Sequence, residues 1–124
     1  MTRYGILLVS HSPQVAQGIA DLIREVAKDV PLTFCGGLAD GQIGTSFEGV
    51  TAAMEDNPAD TLLAFFDLGS ARMNLEMAAE FSPKEVLIQT VPALEGCYTA
   101  AALLQAGAGL DTILTQLEEL AIPK

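Results

Sequence analysis

Two apolar runs of strand length limit what this chain can build. Gly5-Ile6-Leu7-Leu8-Val9 stops abruptly at Ser10, His11 and Ser12, and Thr61 to Phe66 (TLLAFF) stops at Asp67, Leu68, Gly69 and Ser70. Short runs without polar alternation predict strands covered on both faces, the pattern of parallel sheets flanked by helices. Pro13 suits the first turn of a helix, with Ser12 as its N-cap. His11, the one histidine in the chain, is therefore expected at the carboxyl end of the first strand, in the crevice where open α/β sheets place their chemistry.

The other elements follow from periodicity and breakers. Val15, Ile19, Leu22, Ile23 and Val26 recur at helical spacing opposite Gln14, Gln17, Asp21, Arg24, Glu25 and Lys28, so a helix of about four turns follows Pro13. Pro31 to Cys35 reads as a short strand. Gly36 then opens a loop, GGLADGQIGTS, rich in glycine and free of proline, which permits close backbone approach to a ligand. Ser46 is placed to cap a second helix, Phe47 to Glu55, which stops before Asn57 and Pro58.

Ala71 to Phe81 is a third helix, with Met73 and Met77 expected in the core, and Glu85 to Thr90 is a fourth strand. Leu94 to Ala106 and Leu110 to Leu120 are the last helices, separated by Gly107 and Gly109. Strands alternating with helices predict one α/β domain over residues 1–124. Its sheet is open and mainly parallel, of four strands or five, with right-handed crossovers and helices on both faces.

Composition narrows the partners. A net charge of −10 repels phosphate backbones and anionic lipid, which argues against nucleic acid and membranes and for a basic protein or a basic patch. Every apolar run is interrupted well short of a membrane span, and the N-terminus has no secretory pattern, so the expected compartment is the cytoplasm. Cys35 and Cys97 form neither a CxxC pair nor a Cys/His cluster. They read as small buried residues, with no disulfide, zinc site or other metal site expected.

First and third strands are usually neighbours in a doubly wound sheet, so His11 and Asp67 are expected to meet. A carboxylate that holds one imidazole N–H leaves the other nitrogen unprotonated and outward, as a histidine nucleophile requires. Ser12 and the free amides at the start of the first helix are then placed to receive an anionic group on that nitrogen. Taken alone, Asp67 is equally a strand-end turn residue, a task that asparagine performs as well. Arg72 either meets a phosphate or pairs with Glu76 at i,i+4. The glycine loop lacks GK[ST] and is no Walker loop, so its glycines either approach a ligand or only serve turns. Without a second histidine as base, a hydrolase triad has no support.

GILLVSHS with His11 at the strand end, the loop GGLADGQIGTS and the segment FFDLGSARMN together resemble the enzyme IIA domains of the mannose type from the phosphotransferase system. More narrowly, they resemble the phosphohistidine subunit of phosphoenolpyruvate-dependent dihydroxyacetone kinase. The resemblance covers essentially the whole chain. It implies that His11 accepts a phosphoryl group from the phosphocarrier histidine protein and passes it to ADP bound on the nucleotide subunit of the kinase, without a cofactor of its own. It also implies that Asp67 partners the His11 ring, that Gly37, Thr45, Ser46, Gly69 and Ser70 line the site, and that Arg72 and Met73 lie where a partner docks.

The resemblance further implies a homodimer, for which Ala100 to Leu104 and the final amphipathic helix offer apolar surface. The chain differs from the mannose-type pattern in lacking a recognisable swapped strand after Thr90. Two other readings share the strand and helix pattern. One is an enzyme IIA domain of a mannose-type sugar transporter. The other is a receiver-like signalling domain phosphorylated on Asp67, although such domains carry an acidic pair where this chain has Ser10 and His11.

Overall fold

The computed structural model describes residues 3–124. The chain runs β1 (Tyr4–Ser10), α1 (Pro13–Val26), β2 (Leu32–Gly36), α2 (Phe47–Asp56), β3 (Thr61–Phe66), α3 (Ser70–Phe81), β4 (Glu85–Gln89), α4 (Ala93–Gln105) and α5 (Leu110–Glu118). The sheet has four parallel strands in the order β2-β1-β3-β4. No fifth strand is present among the described residues.

Strand alternation sorts the core into two layers. Ile6 and Leu8 of β1 and Leu63 and Phe65 of β3 face Ile23 of α1, Cys97, Ala100 and Ala101 of α4, and Ile113 and Leu117 of α5. Leu7, Val9, Leu62, Ala64 and Phe66 face Val50, Ala53 and Met54 of α2 and Ala71, Leu75 and Ala78 of α3. The two central strands are buried along almost their whole length, which is why their sequences show no polar alternation. Each fully buried Leu, Ile or Phe there contributes about 1.5–3 kcal/mol from removal of apolar surface from water.

The winding decides where chemistry can sit. From β1 the chain moves to β2 on one side, and from β3 it moves to β4 on the other. The carboxyl ends of β1 and β3 therefore flank the point where strand order reverses, the crevice in which this architecture binds ligands. Register brings Val9 opposite Phe66, so the next residues, Ser10 and Asp67, leave the sheet side by side.

Three expectations need correction. Met73 and Met77 are exposed, not core. The buried stripe of α3 runs through Ala71, Leu75 and Ala78, and residues two and six positions after Ala71 fall on the opposite side of a 3.6-residue turn. Cys35 is only half-buried, whereas Cys97 is fully buried. The apolar surface assigned to a dimer is largely spent inside the protomer: Ala100, Ala101, Ile113 and Leu117 are buried, and Leu103 and Leu104 pack on the same core. The apolar side chains left exposed lie elsewhere, among them Leu22, Val26, Leu94 and Tyr98 on α1 and α4.

Candidate active site

The site is built where β1 and β3 end. Both oxygens of Asp67 are occupied. Oδ2 accepts from the Ser10 hydroxyl at 2.8 Å and the His11 backbone N–H at 2.9 Å. Oδ1 lies 2.9 Å from His11 Nδ1 and accepts from Leu68 N–H at 2.7 Å. Burial works to raise the Asp67 carboxyl, but the bonds from the His11 backbone, the His11 ring, Ser10 and Leu68 outweigh it and hold the carboxyl below its ordinary range. An ionised carboxylate only accepts, so the proton shared with the ring belongs to Nδ1.

That assignment fixes the other ring nitrogen. Nε2 lies 2.6 Å from the Ser70 hydroxyl, which donates to its lone pair. Ser70 is the first residue of α3 and is exposed, so an electron-rich nitrogen stands at the mouth of the crevice beside the start of a helix. Negative charge is stabilised at that end of a helix. The arrangement is chemically that of an oriented nucleophile: a carboxylate fixes the tautomer and stabilises positive charge on the ring, and a hydroxyl waits where an anion would arrive.

The remaining sequence candidates divide into those that touch the ring and those that shape the surrounding loops. Ser12 Oγ caps α1 by accepting from Val15 N–H, and Ser12 N–H donates to Ser10 Oγ at 3.1 Å. Ser46 Oγ caps α2 by accepting from Gly49 N–H. Thr45 Oγ1 accepts from the Asn74 amide at 2.9 Å, tying the glycine loop to α3. Gly37 has φ +76°, and a Cβ there would come within 2.7 Å of the Pro13 ring, so glycine is required for the loop to pass beneath the start of α1. Gly69 is the N-cap of α3 and has no side chain to offer. Arg72 Nε pairs with Glu76 at 3.8 Å, and Met73 stands free on the outer face.

Three contributors escaped sequence reading. Ser10, only 1% exposed, is the hydroxyl that anchors Asp67; its signal is a serine at the end of an otherwise apolar buried strand. Gly44 N–H donates to the His11 carbonyl at 2.8 Å, which closes the glycine loop over the histidine. Lys124 Nζ reaches the Phe66 carbonyl at 2.6 Å and lies 3.4 Å from that of Asp67. Nothing in the sequence around Lys124 announces this contact.

The family model for EIIA-man, the "PTS system fructose IIA component", matches residues 5–114. Over 121 residues, the chain is 58% identical to the "PTS-dependent dihydroxyacetone kinase, phosphotransferase subunit DhaM" of Lactococcus lactis subsp. lactis, with 98% of each chain covered. It is 45% identical over 119 residues to the "PEP-dependent dihydroxyacetone kinase 1, phosphoryl donor subunit DhaM" of Listeria innocua, with 96% of each covered. Among solved structures, the crystal structure of the unknown-function protein EF1359 superposes with a TM-score of 0.84 at 25% identity, covering 98% of this chain and 97% of that one. With a parallel four-stranded sheet, a histidine at the end of its first strand and relatives aligned end to end, this chain belongs to the EIIA-man family of the phosphotransferase system.

Proposed function

We propose that this chain is a phosphotransferase subunit that works as a phosphohistidine carrier. His11 accepts a phosphoryl group from the phosphocarrier histidine protein of the phosphoenolpyruvate chain and passes it to ADP on the nucleotide subunit of dihydroxyacetone kinase. The observation that carries this reading is the His11 ring, held at Nδ1 by Asp67 and unprotonated at Nε2, where the exposed Ser70 hydroxyl meets it. It occurs in a chain that aligns end to end with subunits of that kinase.

In the loading step Nε2 attacks phosphorus while the P–N bond of the carrier's phosphohistidine breaks and its electron pair returns to the carrier's ring. Nδ1 keeps its proton, so the His11 ring becomes cationic against the ionised Asp67. Ser70 exchanges its bond to Nε2 for one to a phosphoryl oxygen, beside Gly69. In the unloading step a β-phosphate oxygen of ADP forms the new P–O bond, and the P–Nε2 pair returns to the ring. Ser12, Gly37, Thr45 and Ser46 shape the loops around the group. Arg72 and Met73 belong to the docking face, together with the exposed Leu38, Ile43 and Leu68.

A charge of −10 suits a basic face on the phosphoryl donor. The receiver-like alternative has against it the four donors that already fill both Asp67 oxygens. We read the working form as a cytoplasmic homodimer; no described helix is long and apolar enough to cross a membrane. Support for the dimer is the apolar groove of about 470 Å³ between α1 and α4, lined by Leu22, Val26, Leu94 and Tyr98.

The test is to load the protein with the phosphocarrier and phosphoenolpyruvate, then to offer the kinase's nucleotide subunit with ADP or a mannose-type sugar acceptor subunit. ATP formation with the first and retention of phosphate with the second is expected. Discharge to the sugar acceptor alone would overturn the assignment of acceptor. A monomeric mass in light scattering at micromolar concentration would remove the dimer.

A further inference from the structure

Beyond Glu118, the end of α5, the chain does not stay with that helix. Ala121 N–H still bonds to Glu118 O, but Ile122 N–H donates to the Thr90 carbonyl at 3.0 Å, at the end of β4. The tail thus crosses the carboxyl edge of the sheet from β4 toward β3. At its far end the Lys124 backbone packs on the turn after β3: a Cβ added at Gly69 would lie 3.6 Å from the Lys124 carbonyl carbon. The Lys124 ammonium rests 4.4 Å from the centre of the Phe66 ring, donates to the Phe66 carbonyl at 2.6 Å and lies 3.4 Å from the Asp67 carbonyl.

The contacts of the ammonium fall on the two residues that present the carboxylate to His11, Phe66 and Asp67. Phe66 is the last residue of β3 and is fully buried, so its ring is a fixed platform. A cation over an aromatic face gains from the ring quadrupole, more so when partly desolvated. The ammonium is held by backbone carbonyls and the Phe66 ring. Burial holds the Lys124 ammonium below its ordinary range, and the pull of the ionised Asp67 carboxylate offsets part of that cost.

We propose that Lys124 is a positioning residue of the phosphoryl-transfer site. Its ammonium clamps the Phe66–Asp67 strand end so that Asp67 stays aimed at His11 Nδ1, and it supplies a positive charge against the dianionic group arriving at Nε2. The role rests on the phosphohistidine reading above. In a strongly acidic chain, phosphorylation adds negative charge beside Asp67. A cation fixed at the backbone of that strand end is a preorganised counter-charge that costs no reorganisation when transfer occurs. Arg72, on α3, is paired with Glu76.

The experiment compares wild type with Lys124→Met, Lys124→Gln and Lys124→Arg in three readouts: ring ¹⁵N shifts of His11, single-turnover loading from the phosphorylated carrier over a range of carrier concentrations, and thermal melting. For Lys124→Met we expect a reduced share of the Nδ1–H tautomer and a maximal loading rate lowered about tenfold, with the half-saturating carrier concentration unchanged, since the ammonium is engaged by the Phe66 ring and backbone carbonyls. Lys124→Gln keeps a donor without the charge, so it should restore the tautomer but recover only part of the rate. Lys124→Arg should recover both.

Wild-type ring shifts and rates in Lys124→Met would overturn the proposal. So would a loss that appears only as weaker carrier binding, or one that tracks melting and is not rescued by Lys124→Arg. Should Lys124→Met be too unstable to assay, the Gln and Arg pair decides the matter alone: equal maximal rates would refute the role of the charge. The ring shifts are read on the unphosphorylated protein. They therefore stand even if wild type takes no phosphate on His11, an outcome that would instead refute the function proposed above.

Discussion

Replacing Asp67 by asparagine tests the site because the shape stays and the charge goes. The introduced amide would offer one oxygen and one NH₂ to four groups that now all donate to carboxylate oxygens. With the NH₂ on the Oδ2 side it meets the His11 backbone N–H, which cannot turn; with the NH₂ on the Oδ1 side it meets the Leu68 N–H and the ring. Either way one backbone N–H loses its acceptor. Losing a hydrogen bond to a charged group costs about 1.5–3 kcal/mol. In a domain of this size that lowers the melting temperature by roughly 5–10 °C.

The expectation that asparagine serves the turn equally well therefore does not survive the hydrogen-bond inventory. Of the two orientations, the first keeps Nδ1–H donating to oxygen and so keeps the correct tautomer. The remaining loss is the charge that steadies the ring cation, roughly 1.5 kcal/mol, the difference between a charge-assisted and a neutral bond. Transfer should slow by about tenfold, and further if the second orientation is populated. The assay is rapid-quench loading from the phosphorylated carrier beside thermal melting of the same sample. Wild-type transfer in a folded Asp67→Asn protein would show that the carboxylate charge plays no part in the step.

Three further outcomes follow from the same contacts. Because the folded Asp67 carboxyl sits below its ordinary range, its contribution to stability is complete above the unfolded value of about 3.9 and is lost as pH falls through the lower folded value; urea midpoints measured below about pH 4 should fall for wild type by an increment that Asp67→Asn does not share. Ser10→Ala removes the hydroxyl donor to Oδ2 and the acceptor for Ser12 N–H, and should cost about 1–3 kcal/mol in chemical denaturation and slow transfer severalfold. Met73→Lys, on a side chain 70% exposed, should leave melting unchanged and raise the half-saturating carrier concentration by setting a like charge against the basic face of the carrier; unchanged loading kinetics would take Met73 out of the docking surface.

What the sequence made legible follows from which interactions are local. Breaker residues and apolar runs delimit β1 and β3, because strands buried on both faces have no other composition available. The Ser12 and Ser46 caps are read within three residues of the amides they bind. Parallel winding then put His11 beside Asp67. The contacts that complete the site are non-local. Ser10 and Asp67 are 57 positions apart, and Lys124 and Asp67 also 57, with no periodicity linking them. The rotation of α3 was lost for a different reason. Alanines and methionines share that helix, and packing chose the small side chains Ala71 and Ala78 to lie against the sheet, leaving Met73 and Met77 outside. The apolar face of alanine-rich α4 is covered within the protomer by α1 and α5, a packing that no local pattern in the sequence reveals.

Phosphohistidine chemistry at His11 is tested most directly by loading ¹⁵N-histidine-labelled protein from phosphoenolpyruvate and the phosphocarrier, then locating the adduct by phosphorus–nitrogen coupling and following its survival in acid and alkali. The expected result is one phosphoryl group, bonded to Nε2 of His11, lost in acid, kept in alkali and absent from His11→Ala. An adduct on Nδ1, an alkali-labile acyl phosphate on Asp67, or normal labelling of His11→Ala would contradict it.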